Sequence, residues 1–317
     1  MTIIHTPVLL AETLELLGAV LETAGTDGAS ADADAWMIDG TVGEGGHSEA
    51  FLSRFPALHL TAVDADGAVL ERAKARLSRF GSRVQFCRCW SEDFFSGECA
   101  CRKADIILID LGVSLFHYEQ GGRGFSFRKD EPLDMRIDTG YGRSAADLLA
   151  VLREDELADL LWHNAEERHS RRIASAIVKA RARSRIETSA ALAAIVASAM
   201  PGGVPARGMH PATKTFQALR IAVNGELERL ERRLEAAFGA LKAGGRMGVI
   251  SFHSLEDRIV KNFFREKEHR NMPINKSGEC RLVTKKPVTA DGIELRSNPP
   301  SRSAKLRVVE KTVNSEQ

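Results

Sequence analysis

No run of the sequence approaches the roughly 18 uninterrupted apolar residues that a membrane span requires. The opening stretch, MTIIHTPVLLAETLELL, also lacks a basic region followed by an apolar run and a cleavage site. Both absences lead to the expectation of a cytoplasmic protein with no membrane partner. Cysteine is scarce: Cys87, Cys89, Cys99, Cys101 and Cys280 make an odd count of five in a chain of 317 residues. A chain of this length needs no disulfide staples, so reduced thiols are expected. The pairs Cys87-Arg-Cys89 and Cys99-Ala-Cys101 are separated by single residues, whereas structural zinc usually takes two to four between paired ligands, so no metal is expected. No internal repeat is present.

With 44% hydrophobic and 27% charged residues, the chain can bury one full core and has room for a smaller second one. Its net charge of +1 conceals a segregation, since residues 1–110 carry −8 and the remainder +9. Arg168 to Ile186 holds seven Lys/Arg and no carboxylate, and Arg270 to Lys311 holds ten against four acids. Either stretch could neutralise phosphates; a solvated helix face and a charged loop are the plainer readings.

Residues 25–34, GTDGASADAD, read as a surface loop. Short apolar runs then recur at 35–39 (AWMID), 59–64 (HLTAVD), 84–89 (VQFCRC) and 104–110 (ADIILID), with helical patterns between the first three. This alternation predicts an α/β fold with a parallel sheet and crossover helices. After Asp110 strand-like runs cease for about a hundred residues and helical signals take over. The α/β rhythm returns with a helix over 215–241, a strand in 244–254, a helix from Leu255 and a final strand at 304–310. The chain therefore divides into a core over 1–125, a helical insertion over 126–213 and a completing segment over 214–317.

The sharpest local signal is Asp39-Gly-Thr-Val-Gly43-Glu44-Gly45-Gly46-His47, directly after the first strand and before a helix. Glycines at the first strand-to-helix turn of a doubly wound sheet let the backbone approach a ligand. Asp64 ends the second strand, where a carboxylate accepts the hydroxyls of an adenosine ribose. Asp110 ends the fourth strand, so three acids share one sheet edge. That edge suits the cationic S-adenosylmethionine better than NAD, whose pyrophosphate is disfavoured by Glu44 within the loop.

Read in order, DGTVGEGGHS, VDAD, DLGVS, RGFSF, EPLDMR, HPATKTFQALRIAVNGEL and ISFHSLEDRIVK closely resemble the bacterial 16S ribosomal RNA cytosine-N4 methyltransferase family, the MraW or RsmH group, from His5 to about Glu310. The resemblance implies a Rossmann-like class I S-adenosylmethionine-dependent methyltransferase core with an inserted helical domain, the insertion serving RNA. It implies N4-methylation of a cytidine in the decoding region, with 16S rRNA or the small ribosomal subunit as partner; a homodimer is left open. Cofactor contacts would be Gly45, Gly46, His47, Asp64, Trp90, Asp110 and His117. Trp90 stands where the family usually has Phe, with Phe94 as the alternative adenine neighbour, and His117 stands where it has Gln.

Methyl transfer to the exocyclic nitrogen needs alignment and acceptors for the amine protons, which points to Asp110 and the turn ending at Ser114 as catalytic candidates. Phe125, Phe127 and Phe252 could receive a flipped base or simply pack in a core. Ser254 followed by Asp257 fits a helix capping box. Gln217, Arg220 and Asn224 form a polar helical stripe, solvated or facing substrate. Arg123, Arg128 and Arg136 could hold phosphates or make surface salt bridges. Two rivals are a nicotinamide-dependent dehydrogenase, disfavoured because the loop lacks the third small residue of the dinucleotide fingerprint, and a non-catalytic RNA-binding assembly factor. A methyltransferase acting on another RNA is the nearer alternative.

Overall fold

The computed structural model describes residues 6–23, 35–97, 102–119, 121–201, 210–269 and 279–312. The expected loop at 25–34 and the Cys99-Ala-Cys101 pair lie outside these. The chain forms two compact units, one of residues 1–112 and 228–317, the other of residues 113–227.

The first unit opens with α1 (Leu10–Thr23), β1 (Ala35–Asp39), α2 (Gly46–Arg54), β2 (Leu58–Asp64), α3 (Gly67–Leu77), β3 (Val84–Arg88), α4 (Ser91–Ser96) and β4 (Ala104–Asp110). The second contains α5 (Leu115–Glu119), α6 (Ala145–Val151), α7 (Glu154–Ala165), α8 (Ser170–Arg181), α9 (Ser189–Ala199) and α10 (Ala212–Asn224). The first then resumes with α11 (Glu226–Ala240), β5 (Leu241–Ser251), α12 (Ser254–His269), β6 (Cys280–Leu282), α13 (Glu294–Ser297) and β7 (Lys305–Lys311).

The seven strands lie in the order β3-β2-β1-β4-β5-β7-β6. The first five are mutually parallel, while β7 runs antiparallel to β5 and β6. The central strands carry apolar side chains on successive positions because helices cover both faces of the sheet. Met37, Leu60, Ile106 and Leu108 are buried in the layer holding α1 and α2, and Ile38, Val63, Ile107 and Ile109 in the layer holding α4 and α11. The long helix read over 215–241 is instead two, broken at Gly225, whose φ of 59° is left-handed. The strand β6 was not legible, since three residues carry no periodicity.

In the second unit, Leu149, Leu157, Leu161, Ile173, Ile177, Leu192, Val196 and Leu219 form a separate helical core. Contacts therefore group α10 with the helices, whereas the sequence reading placed 214 onward with the completing segment. The reason is its apolar face: Phe216 and Leu219 pack among residues of α7 and α9. Among the described residues, no helix is long and apolar enough to cross a membrane.

Candidate functional site

The carboxyl ends of β2, β1 and β4, adjacent in the sheet, bring Asp64, Asp39 and Asp110 to one edge. The turn after β1 is tied to both neighbours: Gly40 N–H donates to the Leu108 carbonyl and Val42 N–H to the Val63 carbonyl, each at 2.9 Å. Thr41 Oγ1 accepts the Asp110 N–H at 2.6 Å, linking the turn to the end of β4. Gly43 and Gly45 adopt left-handed φ of 54° and 81°, a conformation that a side chain would strain. Gly43 N–H donates to Asp64 Oδ2 at 3.0 Å, and Asp66 N–H to Oδ1 at 2.9 Å, which fixes the Asp64 carboxylate.

Gly46 serves a different need. A Cβ there would stand 2.4 Å from Pro7 Cγ, so the absent side chain makes room for the chain's own N-terminal segment. His47 anchors the same segment, its Nε2–H donating to the Val8 carbonyl at 3.0 Å. Burial holds the imidazole neutral, with its pKa lowered to about 4. Its Nδ1 lies 4.0 Å from Asp110 Oδ2, so a buried neutral ring borders the acid.

The acids differ in role. Asp39 is 2% exposed, accepting from Ser48 Oγ at 2.6 Å and Thr41 N–H at 3.3 Å. Burial raises its pKa to about 6, and the nearby Asp64 charge adds to the rise. Asp110, half-buried, accepts the Gly112 N–H at 3.1 Å. Its pKa is pushed up to about 7, mainly by desolvation and further by the charges of Asp39 and Glu256. Crowded carboxyls that resist ionising favour a positive charge brought among them.

The sheet edge continues onto the ends of β3 and β5. Arg88 pairs with Asp64 in the β2–β3 register, so Trp90 follows just beyond the same edge, half-buried at the start of α4. Phe94 is a core residue at 5% exposure, in edge contact with Phe95. At the end of β5, Phe252 covers Gly112. The helix cap there is shifted by one residue from the expected Ser254/Asp257 pair. Glu256 accepts the N–H groups of Phe252 (2.8 Å) and His253 (3.3 Å), and Glu256 N–H donates to His253 Nδ1 at 3.4 Å. Asp257 instead holds Arg307, at 2.7 Å, and Lys305. Thr41, Glu256 and the Glu92–Arg229 pair described below were missed in the sequence. Thr41, inside the glycine-rich turn, Glu92, two residues from Trp90, and Glu256, inside ISFHSLEDRIVK, sat near legible signals, whereas Arg229 did not.

Ser114 and His117 belong to the second unit. Ser114 caps α5, its Oγ accepting the Phe116 N–H at 3.2 Å and its carbonyl the His117 N–H at 2.9 Å. His117 is buried, its ring 5.1 Å from that of Phe125. Phe127 packs edge-on against Phe216. Two members of the polar stripe of α10 make contacts within the second unit: Arg220 forks onto Glu226 at 2.8–2.9 Å and reaches the Tyr118 hydroxyl at 2.9 Å. Asn224 donates to the Met135 carbonyl and accepts the Ile137 N–H, both at 2.8 Å. Arg123 donates to the Arg136 and Ile137 carbonyls, and Arg136 forks onto Asp134, leaving Arg128 the exposed member of that trio. On α8, Arg171, Arg172 and Lys179 are exposed while Ile173, Ala174 and Ile177 are buried. In the later basic stretch, Arg281 and Arg307 are paired with Glu310 and Asp257, and 270–278 lies outside the described residues. Among the described residues, Cys87, Cys89 and Cys280 are in no disulfide bond, and the Cys87 and Cys89 sulfurs lie 3.4 Å apart.

A family model described as the MraW methylase family matches residues 2–312. The chain is 50% identical over 318 residues to a Treponema denticola protein named ribosomal RNA small subunit methyltransferase H, covering 97% of each. Its identity to the protein of that name from Treponema pallidum is 43% over 350 residues, 97% of this chain and 92% of that one. The Mycolicibacterium paratuberculosis counterpart is 41% identical over 97% of this chain and 82% of its own length. Among solved structures, a putative rRNA-methylase from Clostridium thermocellum aligns over 98% of this chain and 100% of its own, with a TM-score of 0.41 and 11% identity.

Proposed function

Because the chain belongs to the MraW methylase family, we propose that it methylates small-subunit ribosomal RNA with S-adenosylmethionine as donor, the acceptor being the exocyclic N4 of a cytidine in the decoding region of 16S rRNA. The donor and the RNA class draw on the family and on the names of its relatives. The cytidine N4 draws on the motif resemblance. The observation that carries the reading is the set of crowded, reluctantly ionised carboxyls at Asp39 and Asp110, beside Asp64 and the Gly43–Gly46 turn.

S-adenosylmethionine, when bound, supplies a methyl group on a positively charged sulfur. Asp64, held by two backbone N–H groups, accepts the ribose hydroxyls. Asp39 is too buried to touch a ligand and acts through its field. Gly45 and Gly46 lend backbone rather than open space, and His47 holds the N-terminal segment against the turn. The motif resemblance, with His117 standing where the family has Gln, assigns His117 to the amino-acid end of the donor. Asp110, or backbone carbonyls of the turn running to Ser114, accept hydrogen bonds from the amine and favour the pyramidal nitrogen that attacks in line. The sulfur leaves as the neutral thioether and the nitrogen gives up one proton, which ionised Asp110 or water takes. Displacement at carbon needs no covalent intermediate, so the protein's task is alignment and exclusion of water. Exposed cations of the helical unit, Arg171, Arg172 and Lys179 among them, meet RNA phosphates. A cytoplasmic location follows from a ribosomal substrate, and the reading requires no second copy of the chain.

The test is mass mapping of small-subunit RNA from cells with and without this protein. Loss of one methyl from one cytidine in the decoding region supports the proposal. An unchanged small-subunit map, or a methyl lost from another RNA, overturns it in favour of another substrate or an assembly role.

A further inference from the structure

Beside Trp90 lies a charged assembly that the mechanism above does not use. Glu92, in the first turn of α4, is buried at 3% exposure. A carboxylate so placed must be paired. Its partners are Arg229 and Arg233, one turn apart on α11: Arg229 Nη1 donates to Oε1, and Arg233 Nη2 donates to Oε2 at 3.3 Å. The Arg229 guanidinium also lies 4.1 Å from the Trp90 ring centroid. A guanidinium both hydrogen-bonded to a buried carboxylate and stacked on an indole is fixed in plane and position, which a lysine cannot reproduce.

We propose that Arg229, held by Glu92, is a positioning residue for the methyl donor: it backs one face of Trp90 so that the opposite face is presented, pre-oriented, to the adenine. This rests on the reading of Trp90 as the adenine neighbour. Three observations support it. The indole follows β3 on the edge that carries Asp64, so it lies where the nucleoside end would extend. One of its faces already has a planar cation on it, which leaves a single face for stacking. The cation comes from α11, far along the chain, and its counter-ion Glu92 stands two residues from Trp90, so the ring is clamped from both its own helix and a second one. Stacking on a ring held in place costs less ordering than stacking on a free one.

The experiment uses the full-length chain carrying Trp36→Phe and Trp162→Phe, so that Trp90 is the reporting fluorophore, with S-adenosylhomocysteine as probe. Arg229→Met and Arg229→Lys are each expected to raise its Kd, and the KM for S-adenosylmethionine, about 5- to 20-fold. The quenching of Trp90 on binding should shrink, and kcat at saturating donor should stay within about 2-fold. The triple change Glu92→Gln, Arg229→Met and Arg233→Met removes all three charges of the assembly together, so it should restore thermal stability without restoring affinity. Wild-type Kd and wild-type quenching in Arg229→Met, or affinity restored along with stability in the triple variant, would overturn the proposal. The underlying reading fails separately: Trp90→Ala binding the probe with wild-type affinity removes Trp90 from the adenine site, and an unmodified chain that binds no probe removes the donor itself.

Discussion

Phe252 lies against Gly112 so closely that a Cβ at residue 112 would stand 2.6 Å from the ring. The glycine of the DLGVS turn is thus required by a half-buried aromatic from the end of β5, and its own N–H donates to the carboxyl of Asp110 at 3.1 Å. Gly112→Ala must displace Phe252 or the turn. Since a misplacement of about 1 Å at a reacting centre can cost 100-fold, kcat should fall by one to two orders of magnitude. The Kd for S-adenosylhomocysteine should change far less. Single-turnover methylation alongside equilibrium binding separates the two.

Asp110 should make the ligand-free protein less stable above neutral pH. Its folded pKa of about 7 lies above the ordinary value of 3.8, so the folded state holds more protons than the unfolded one between these limits. Stability therefore declines as pH rises through that window and stays low above it. Asp110→Asn, permanently neutral, should raise the melting temperature at pH 8 by about 2–4 °C, with little change near pH 4. Calorimetric scans at both pH values check the sign, and activity at pH 8 should be lost in the same variant.

His47 has the opposite linkage. Its folded pKa, about 4, lies below the unfolded 6.5, so the unfolded state takes up the proton first and stability is lost as pH falls from about 6.5 towards 4. His47→Phe keeps a ring but strands the Val8 carbonyl, at a cost of about 1–3 kcal/mol. Denaturant titration should show that cost at pH 8 and a smaller one at pH 5, where the histidine pays its own penalty.

Asn224 predicts a stability defect. Its amide joins α10 to the 135–137 segment through a donated and an accepted hydrogen bond. Asn224→Ala leaves the buried Met135 carbonyl and the half-buried Ile137 N–H without it, at a cost of about 1–3 kcal/mol. The denaturation midpoint of the helical unit should fall, whereas the Kd for S-adenosylhomocysteine should hold.

Much of this was legible because the core strands are buried on both faces, and AWMID, HLTAVD and ADIILID announce that as short, mainly apolar runs. The strand-end acids were legible for the same reason, each being the first charge after such a run. What escaped was contact between distant segments. Nothing in the sequence marks Gly46 as the neighbour of Pro7, Glu92 as the partner of Arg229, or Asn224 as the brace of residues 135–137. A polar helical stripe reads alike whether it meets water or a backbone. The Ser254/Asp257 cap was read one residue late because Asp257 had a stronger partner in Arg307, which only strand β7 could bring to it.

The central claim is that acids reluctant to ionise accept a cationic donor at this edge, and calorimetric titration of S-adenosylmethionine at pH 6.5 in two buffers of different ionisation enthalpy tests it directly. Binding should shift Asp110 and Asp39 towards their charged forms, so net proton release is expected, with affinity weakening as pH falls from 8 to 5.5. Association without proton release and without pH dependence, or no association at all, would contradict the account.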